Sequence, residues 1–214
     1  MSVKSLLNSI ALPLASIIGV NLMLASGTVA GSQQAQDDPH AHHKHMMKQT
    51  GYTSSSHRYE IPELSLIDTH NNKLSFTEII NTEKPVILNF IFTTCTTICP
   101  VLSATLSQVK QKLGDDAQNV KMISITIDPE QDTPERLKDY ASKFKAGADW
   151  HFLTGSIDDI ITTQKAFDAY KGDKMNHIPL TFLRSKTPNS PWIRLEGFTS
   201  AAEVLAEHRL QLSN

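Results

Sequence analysis

One stretch constrains this chain more than any other: Val86-Ile87-Leu88-Asn89-Phe90-Ile91-Phe92, opened by Pro85 and running into a threonine-rich turn that holds Cys95 and Cys99, the only two cysteines. The apolar, β-branched run reads as a buried strand. Leu102, Leu106, Val109 and Leu113 then recur at helical spacing up to Gly114, a C-terminal stop signal. Both sulfurs therefore belong where a strand hands over to a helix N-terminus. Unpaired backbone N–H groups and the positive end of the helix dipole favour thiolate over thiol there. Pro100 agrees with that placement, because proline is tolerated in a first helical turn and not deeper. The Cys-x-x-x-Cys spacing lets the two side chains lie on one side of the turn, where one metal ion or one disulfide could join them.

With 214 residues, 40% of them hydrophobic, the chain has material for one domain of ordinary size plus an extension. A formal charge of -2 and the lack of a Gly-rich phosphate loop argue against nucleic acid or nucleotide as partner. Residues 1–30 differ from the rest: Lys4 precedes a mostly apolar, uncharged run from Leu6 to Leu24. Ala25-Ser26-Gly27 or Thr28-Val29-Ala30 then offers a signal-peptidase site. This predicts export. The alternative is an uncleaved membrane anchor, since the run approaches the roughly 18–20 residues a spanning helix needs; Asn8, Pro13 and Asn21 weaken it. An exported cysteine pair is most often a structural disulfide, but a loop of about five residues gains the least from closure.

Residues 31–57 carry Gln, Ser, Asp, His and Lys with almost no large apolar side chains, and are expected to form a disordered linker. Within them lies Pro39-His40-Ala41-His42-His43-Lys44-His45-Met46-Met47, whose imidazoles and thioethers could hold a transition metal or simply decorate a solvated tether. Residues 58–214 read as the folded domain. Ile61 to Leu74 is a predicted β-hairpin, Ser75-Phe76-Thr77-Glu78 a capping box, and Val120 to Ile127 a second apolar strand. Asp132 or Thr133 caps a helix opening at Pro134, Trp150 to Leu153 is a short strand, and Ser156 caps a further helix. Leu180 to Leu183 and Trp192 to Leu195 form a hairpin, and Ser200-Ala201-Ala202-Glu203 opens a last helix with Ala201, Val204, Leu205 and Leu212 inward. That order predicts an α/β protein, a three-layer α/β/α domain with a central mixed sheet.

Thr94-Cys95-Thr96-Thr97-Ile98-Cys99-Pro100, followed by Asp128-Pro129-Glu130-Gln131-Asp132-Thr133-Pro134-Glu135 and a downstream His177, resembles the Sco/SenC proteins over about Tyr59 to Leu212. The resemblance implies an exported, thioredoxin-like copper protein of cytochrome c oxidase assembly, with Cys95, Cys99 and His177 as the metal ligands. Two thiolates and an imidazole suit copper, whereas structural zinc would want a fourth protein ligand. The family's histidine usually follows an acid, where this chain has Asn176, and Pro179 lies where thioredoxins place a cis-proline facing their cysteines.

Two functions follow as expectations. The first is a periplasmic or membrane-facing copper chaperone, its partner the copper-site subunit of the oxidase or another periplasmic copper protein, with the His40–Met47 tract collecting or relaying copper. Membrane contact would come only through an uncleaved N-terminus. The second is a thiol–disulfide oxidoreductase using Cys95 and Cys99 as a redox pair, Cys95 attacking a partner protein and Pro179 shaping the partner groove. A peroxidase is a weaker third, with Arg136 its only nearby candidate arginine. His57, His70, His151 and His208 are read as structural, and Asp128 and Asp132 as the end of a strand and the cap of a helix, with a role near the site as the alternative.

Overall fold

A computed structural model describes residues 51–212. The expected signal or anchor over 1–30 and the His40–Met47 tract lie outside the described residues. Among the described residues, no helix is long and apolar enough to cross a membrane.

The central strand is β4, Val86–Ile91, whose six residues are all buried. It is flanked in parallel by β5 (Lys121–Thr126) and antiparallel by β7 (Leu180–Arg184). Beyond β5 stand β6 (Trp150–Thr154) and the hairpin of β2 (Ser65–Asp68) and β3 (Lys73–Ser75). Beyond β7 come β8 (Trp192–Glu196) and β1 (Thr53–His57), which completes a mixed sheet ordered β1-β8-β7-β4-β5-β6-β2-β3. Because successive side chains leave a strand on opposite faces, β4 feeds two cores. Ile87 and Ile91 join one with α2 (Ile98–Leu113), α3 (Pro134–Lys143) and α5 (Ala201–Leu212). Leu88 and Phe90 join the other with α1 (Phe76–Ile80) and α4 (Ile157–Ala166). The expected three layers with a mixed central sheet are thus the observed fold.

Helix starts follow the chemistry of their capping side chains. Ser75, Thr133 and Ser156 each accept the backbone N–H three residues on, and Ser200 and Glu203 form a reciprocal capping box. Two expectations need correction. The linker does not run to His57: Thr53–His57 is an edge strand, held by backbone pairing to β8 although its side chains are mostly exposed. Gly114 caps the end of α2 as its position predicts, at φ 56°, and a 3-10 turn, Gly114–Asn119, follows it. On α5 the inward position is filled by His208, which is buried, while Leu212 is 45% exposed.

Strand register collects the chemistry at one end of the sheet. Asn89 lies opposite Thr181 and Ile91 beside Thr126, so the turn after β4 meets the approach to β7 and the exit of β5. Leu180 and Thr53 both pair with Glu196, which brings the start of β1 to the same end. Gly197, at φ 116°, makes this junction: its N–H donates to the Pro179 carbonyl at 3.0 Å, and a Cβ there would stand 2.8 Å from the Gly51 carbonyl oxygen. Gly197→Ala should therefore cost more than the about 1–3 kcal/mol of a strained backbone alone. Gly172→Ala, also at positive φ but with open space around it, should cost only the strain. Urea denaturation of the two variants checks the order, and equal losses would contradict it.

Candidate metal and thiol site

Cys99 is fully buried in the first turn of α2, one residue before Pro100. Its Sγ accepts the Phe92 N–H at 3.4 Å. Cys95 sits half-buried in the turn before the helix, and its Sγ accepts the Cys99 N–H at 3.3 Å. Both thiols are free. The helix N-terminus and the turn thus bring the two sulfurs to one place, as the spacing predicts.

The two thiols differ electrostatically. Partial burial raises the pKa of Cys95, but hydrogen bonding to the backbone N–H groups of Cys99, Thr97 and Ile98 and to the Cys99 thiol outweighs it and holds Cys95 below the usual thiol value. Burial drives Cys99 strongly upward, with the neighbouring Cys95 sulfur adding to the rise and the Phe92 N–H only partly offsetting it. Cys95 is thus the readier of the two to ionise, and Cys99 the more reluctant.

The thiol turn is fastened by a carboxylate. Asp132 is fully buried and accepts the Thr93 N–H at 3.0 Å, the Thr93 hydroxyl at 2.5 Å and the Thr126 hydroxyl at 2.6 Å. The helix cap belongs to Thr133 instead, which accepts the Arg136 N–H. Asp132 therefore ties the first residue of the turn to the last residue of β5. This role was not legible, because the partners lie 39 positions apart for Thr93.

His177 follows a short 3-10 turn, Lys174–Asn176, and is 8% exposed. Its ring meets Phe92 edge-on at 6.2 Å, and its buried Nε2 has no hydrogen-bond partner among the described residues. Lys174 pins the same turn, donating to Asp128 at 2.5 Å with its ammonium 5.9 Å from the Phe92 ring centroid. That pair adds to the strand-ending position expected of Asp128, whose N–H donates to the Thr126 hydroxyl at the end of β5. Asn176 is exposed and offers His177 no charged support.

His177 and Cys99 thus share Phe92 as a neighbour, its ring against the imidazole and its N–H on the sulfur. No three His, Cys, Asp or Glu side chains among the described residues are already grouped to hold a metal ion. One further expectation is corrected. No peptide bond among the described residues is cis, so Pro179 is trans, its carbonyl drawn into the Gly197 junction. The exposed Arg136 guanidinium donates through one nitrogen to the carbonyl and side chain of Gln131 at 3.1 and 3.2 Å. His57 and His70 bond near neighbours on the surface.

A family model described as SCO1/SenC matches residues 53–187. The SCO1 protein homolog of Bacillus subtilis is 43% identical over 68 residues, 31% of this chain and 35% of that protein. The chain spans about a third to just over half the length of the curated relatives it matches, 35%, 50% and 56% of the first three. Among solved structures, Bradyrhizobium japonicum ScoI with copper bound aligns with a TM-score of 0.57 at 25% identity, covering 71% of this chain and 99% of that one. BsSco, described as having a disulfide switch and as a member of the Sco family of cytochrome c oxidase assembly proteins, aligns at 0.59 and 24% identity, over 71% and 92%. These alignments identify the fold as thioredoxin-like.

Burial makes His177 a source of acid sensitivity. Desolvation lowers its pKa from 6.5 to about 4. Between those values the unfolded chain binds the proton and the folded chain does not, so stability held above about pH 6.5 is lost as pH falls toward 4, by on the order of 3 kcal/mol. His208 and His151, also lowered by burial, act in the same direction. Denaturation at pH 7 and pH 4.5 should show a smaller loss for His177→Gln than for the wild type. Equal losses would contradict the assignment.

Proposed function

The chain belongs to the SCO1/SenC family, and from that premise we propose that it is an exported, copper-carrying protein acting in cytochrome c oxidase assembly. In this reading residues 1–30 direct export to the periplasm, with retention as an inner-membrane anchor if uncleaved, and residues 31–52 form the linker. Cys95, Cys99 and His177 hold the copper, and the receiving partner is the copper-site subunit of the oxidase or another periplasmic copper protein. The copper-bound ScoI structure and the oxidase-assembly description of BsSco support it.

The observation that carries the reading is the convergence of a paired thiol turn and a buried imidazole with a free Nε2 at one end of the sheet. Two soft sulfurs and one imidazole fit copper in either common oxidation state. Cys95 is the entry ligand, being the more exposed and the more readily deprotonated. Cys99 gives up its proton as the metal arrives, because only the thiolate ligates. His177 would supply the third donor through its free Nε2, from a turn held by the Lys174–Asp128 ion pair.

The unequal thiols also favour thiol–disulfide exchange as a second reading. The Cys95 thiolate attacks one sulfur of a partner's disulfide, forming a mixed disulfide and releasing the partner's other sulfur as thiolate. Cys99 then loses its proton and attacks the Cys95 sulfur, releasing the second partner thiolate. The partner is reduced and Cys95–Cys99 is left oxidised. Reducing a partner's cysteines would also prepare them to take copper, so the two activities are compatible.

Copper titration of the reduced protein separates them. We expect one thiolate-bound copper per chain, with a Cu(II)–thiolate charge-transfer band lost in His177→Ala. Affinity should fall at least about tenfold, since even outer partners of a metal ligand are worth about 10–100-fold. Affinity and band indifferent to His177 would overturn the three-ligand site and leave disulfide exchange as the function.

A further inference from the structure

His177 ends a segment whose own hydrogen bonds are local. Residues 171–176 are all exposed, and Gly172 among them takes φ 79°. Asp173 caps the turn by accepting the Met175 N–H at 2.8 Å, and the Asn176 and His177 N–H groups donate to the Asp173 and Lys174 carbonyls. None of these bonds reaches beyond the turn. The imidazole gains no anchor through Nε2, which is buried without a hydrogen-bond partner, and Asn176 beside it is exposed and uncharged. A metal ligand on such a segment has to be positioned from outside it, because the orientation of a ligating ring is ordinarily set by groups that do not touch the metal.

Lys174 supplies that tie. Its ammonium reaches Asp128, 46 positions away, at 2.5 Å, and stands 5.9 Å from the centroid of Phe92, the ring that the imidazole meets edge-on. Exposed ion pairs contribute little, but this one is open on one side only, with Lys174 38% exposed and Asp128 7%. A nearly buried carboxylate deprived of its cation is left poorly compensated, so the pair fixes the turn more firmly than a surface pair could. Asp128 is itself fastened: its N–H donates to the Thr126 hydroxyl at 2.9 Å, and that hydroxyl donates to Asp132, which holds Thr93. The turn carrying His177 and the turn carrying the cysteines are therefore moored to the same few residues at the exit of β5.

We infer that Lys174 is a positioning residue for the third copper ligand: its pairing with Asp128 and its contact with Phe92 hold the His177 imidazole at the thiol turn, so that removing Lys174 is felt at the metal as partial loss of His177. This rests on the copper-carrying reading above. Lys174 touches no metal and moves no proton in this role. It reduces the ordering that copper binding would otherwise have to supply, because a ligand already held in place costs less to immobilise. The tie is electrostatic and open to water on the lysine side, so salt weakens it.

The test measures, on full-length reduced protein, the chelator-buffered Cu(I) concentration that half-protects Cys95 from alkylation, which reads occupancy of the cysteine site alone. Wild type is compared with Lys174→Met, Lys174→Arg, His177→Ala and Lys174→Met/His177→Ala. We expect Lys174→Met to raise that concentration about tenfold, the lower end of the roughly 10–100-fold range for outer partners of a metal ligand. The same substitution should change nothing further in His177→Ala, and Lys174→Arg should retain most of the wild-type affinity. Without copper, amide hydrogen exchange over residues 174–178 should be faster in Lys174→Met while exchange in β4 stays unchanged, which separates a loosened turn from general unfolding. An equal loss in both backgrounds would place the effect on the thiols or the fold and overturn the positioning role. No loss in Lys174→Met where His177→Ala is weakened would overturn it too, while leaving the three-ligand reading intact. Indifference to His177→Ala would overturn that reading, and the inference with it.

Discussion

The buried carboxylate of Asp132 is the interaction on which the site depends. A carboxylate wholly removed from water is tolerable only when its oxygens are hydrogen-bonded, and here Thr93 supplies its backbone N–H and hydroxyl while Thr126 supplies a hydroxyl. The charge is therefore bound to one geometry, in which the residue leaving β4 is locked against the residue ending β5. With Thr93 held, Phe92 can donate to the Cys99 sulfur and the turn can close on the helix N-terminus.

From that fixed turn the asymmetry of the thiols follows. Backbone N–H groups serve two sulfurs at different depths, those of Thr97, Ile98 and Cys99 facing Cys95 and that of Phe92 facing Cys99. The shallower one gains enough of them to favour its anion, and the deeper one is dominated by burial. Phe92 is the hinge between this pair and the third donor. Its backbone serves Cys99, and its ring meets both the His177 imidazole and the Lys174 ammonium. The sheet sets the rest, because its register brings the exits of β4 and β5, the entry of β7 and the start of β1 to one edge.

Much of this was legible because it is written in local chemistry. Pro85 and the run to Phe92 mark the central strand, Ser75, Ser156 and Ser200 mark helix starts by hydroxyls that cap backbone N–H groups, and the four-residue cysteine spacing brings the sulfurs together. What was missed is long-range or carried by backbone alone. Thr53-Ser54-Ser55-Ser56-His57 has the polarity of a linker and becomes a strand only because β8 offers an unpaired edge. Asp132 reads as a cap because a cap lies next to it in sequence, whereas its partners come from another strand end. Lys174 shows no sign in sequence that it will meet Asp128, 46 positions away. His208 rather than Leu212 turns inward because the helix presents positions 201, 204, 205 and 208 to the core. Family resemblance, not pattern, singled out His177, since a lone histidine before a strand carries no periodic signal.

X-ray absorption at the copper edge, recorded on the copper-loaded full chain with His40, His42, His43, His45, Met46 and Met47 changed to alanine so that those donors contribute nothing, tests the central claim most directly. The account predicts a copper shell of two sulfurs and one imidazole nitrogen, with the nitrogen contribution lost when His177→Ala is added. A spectrum without two sulfurs, or one unchanged by removing His177, would contradict it.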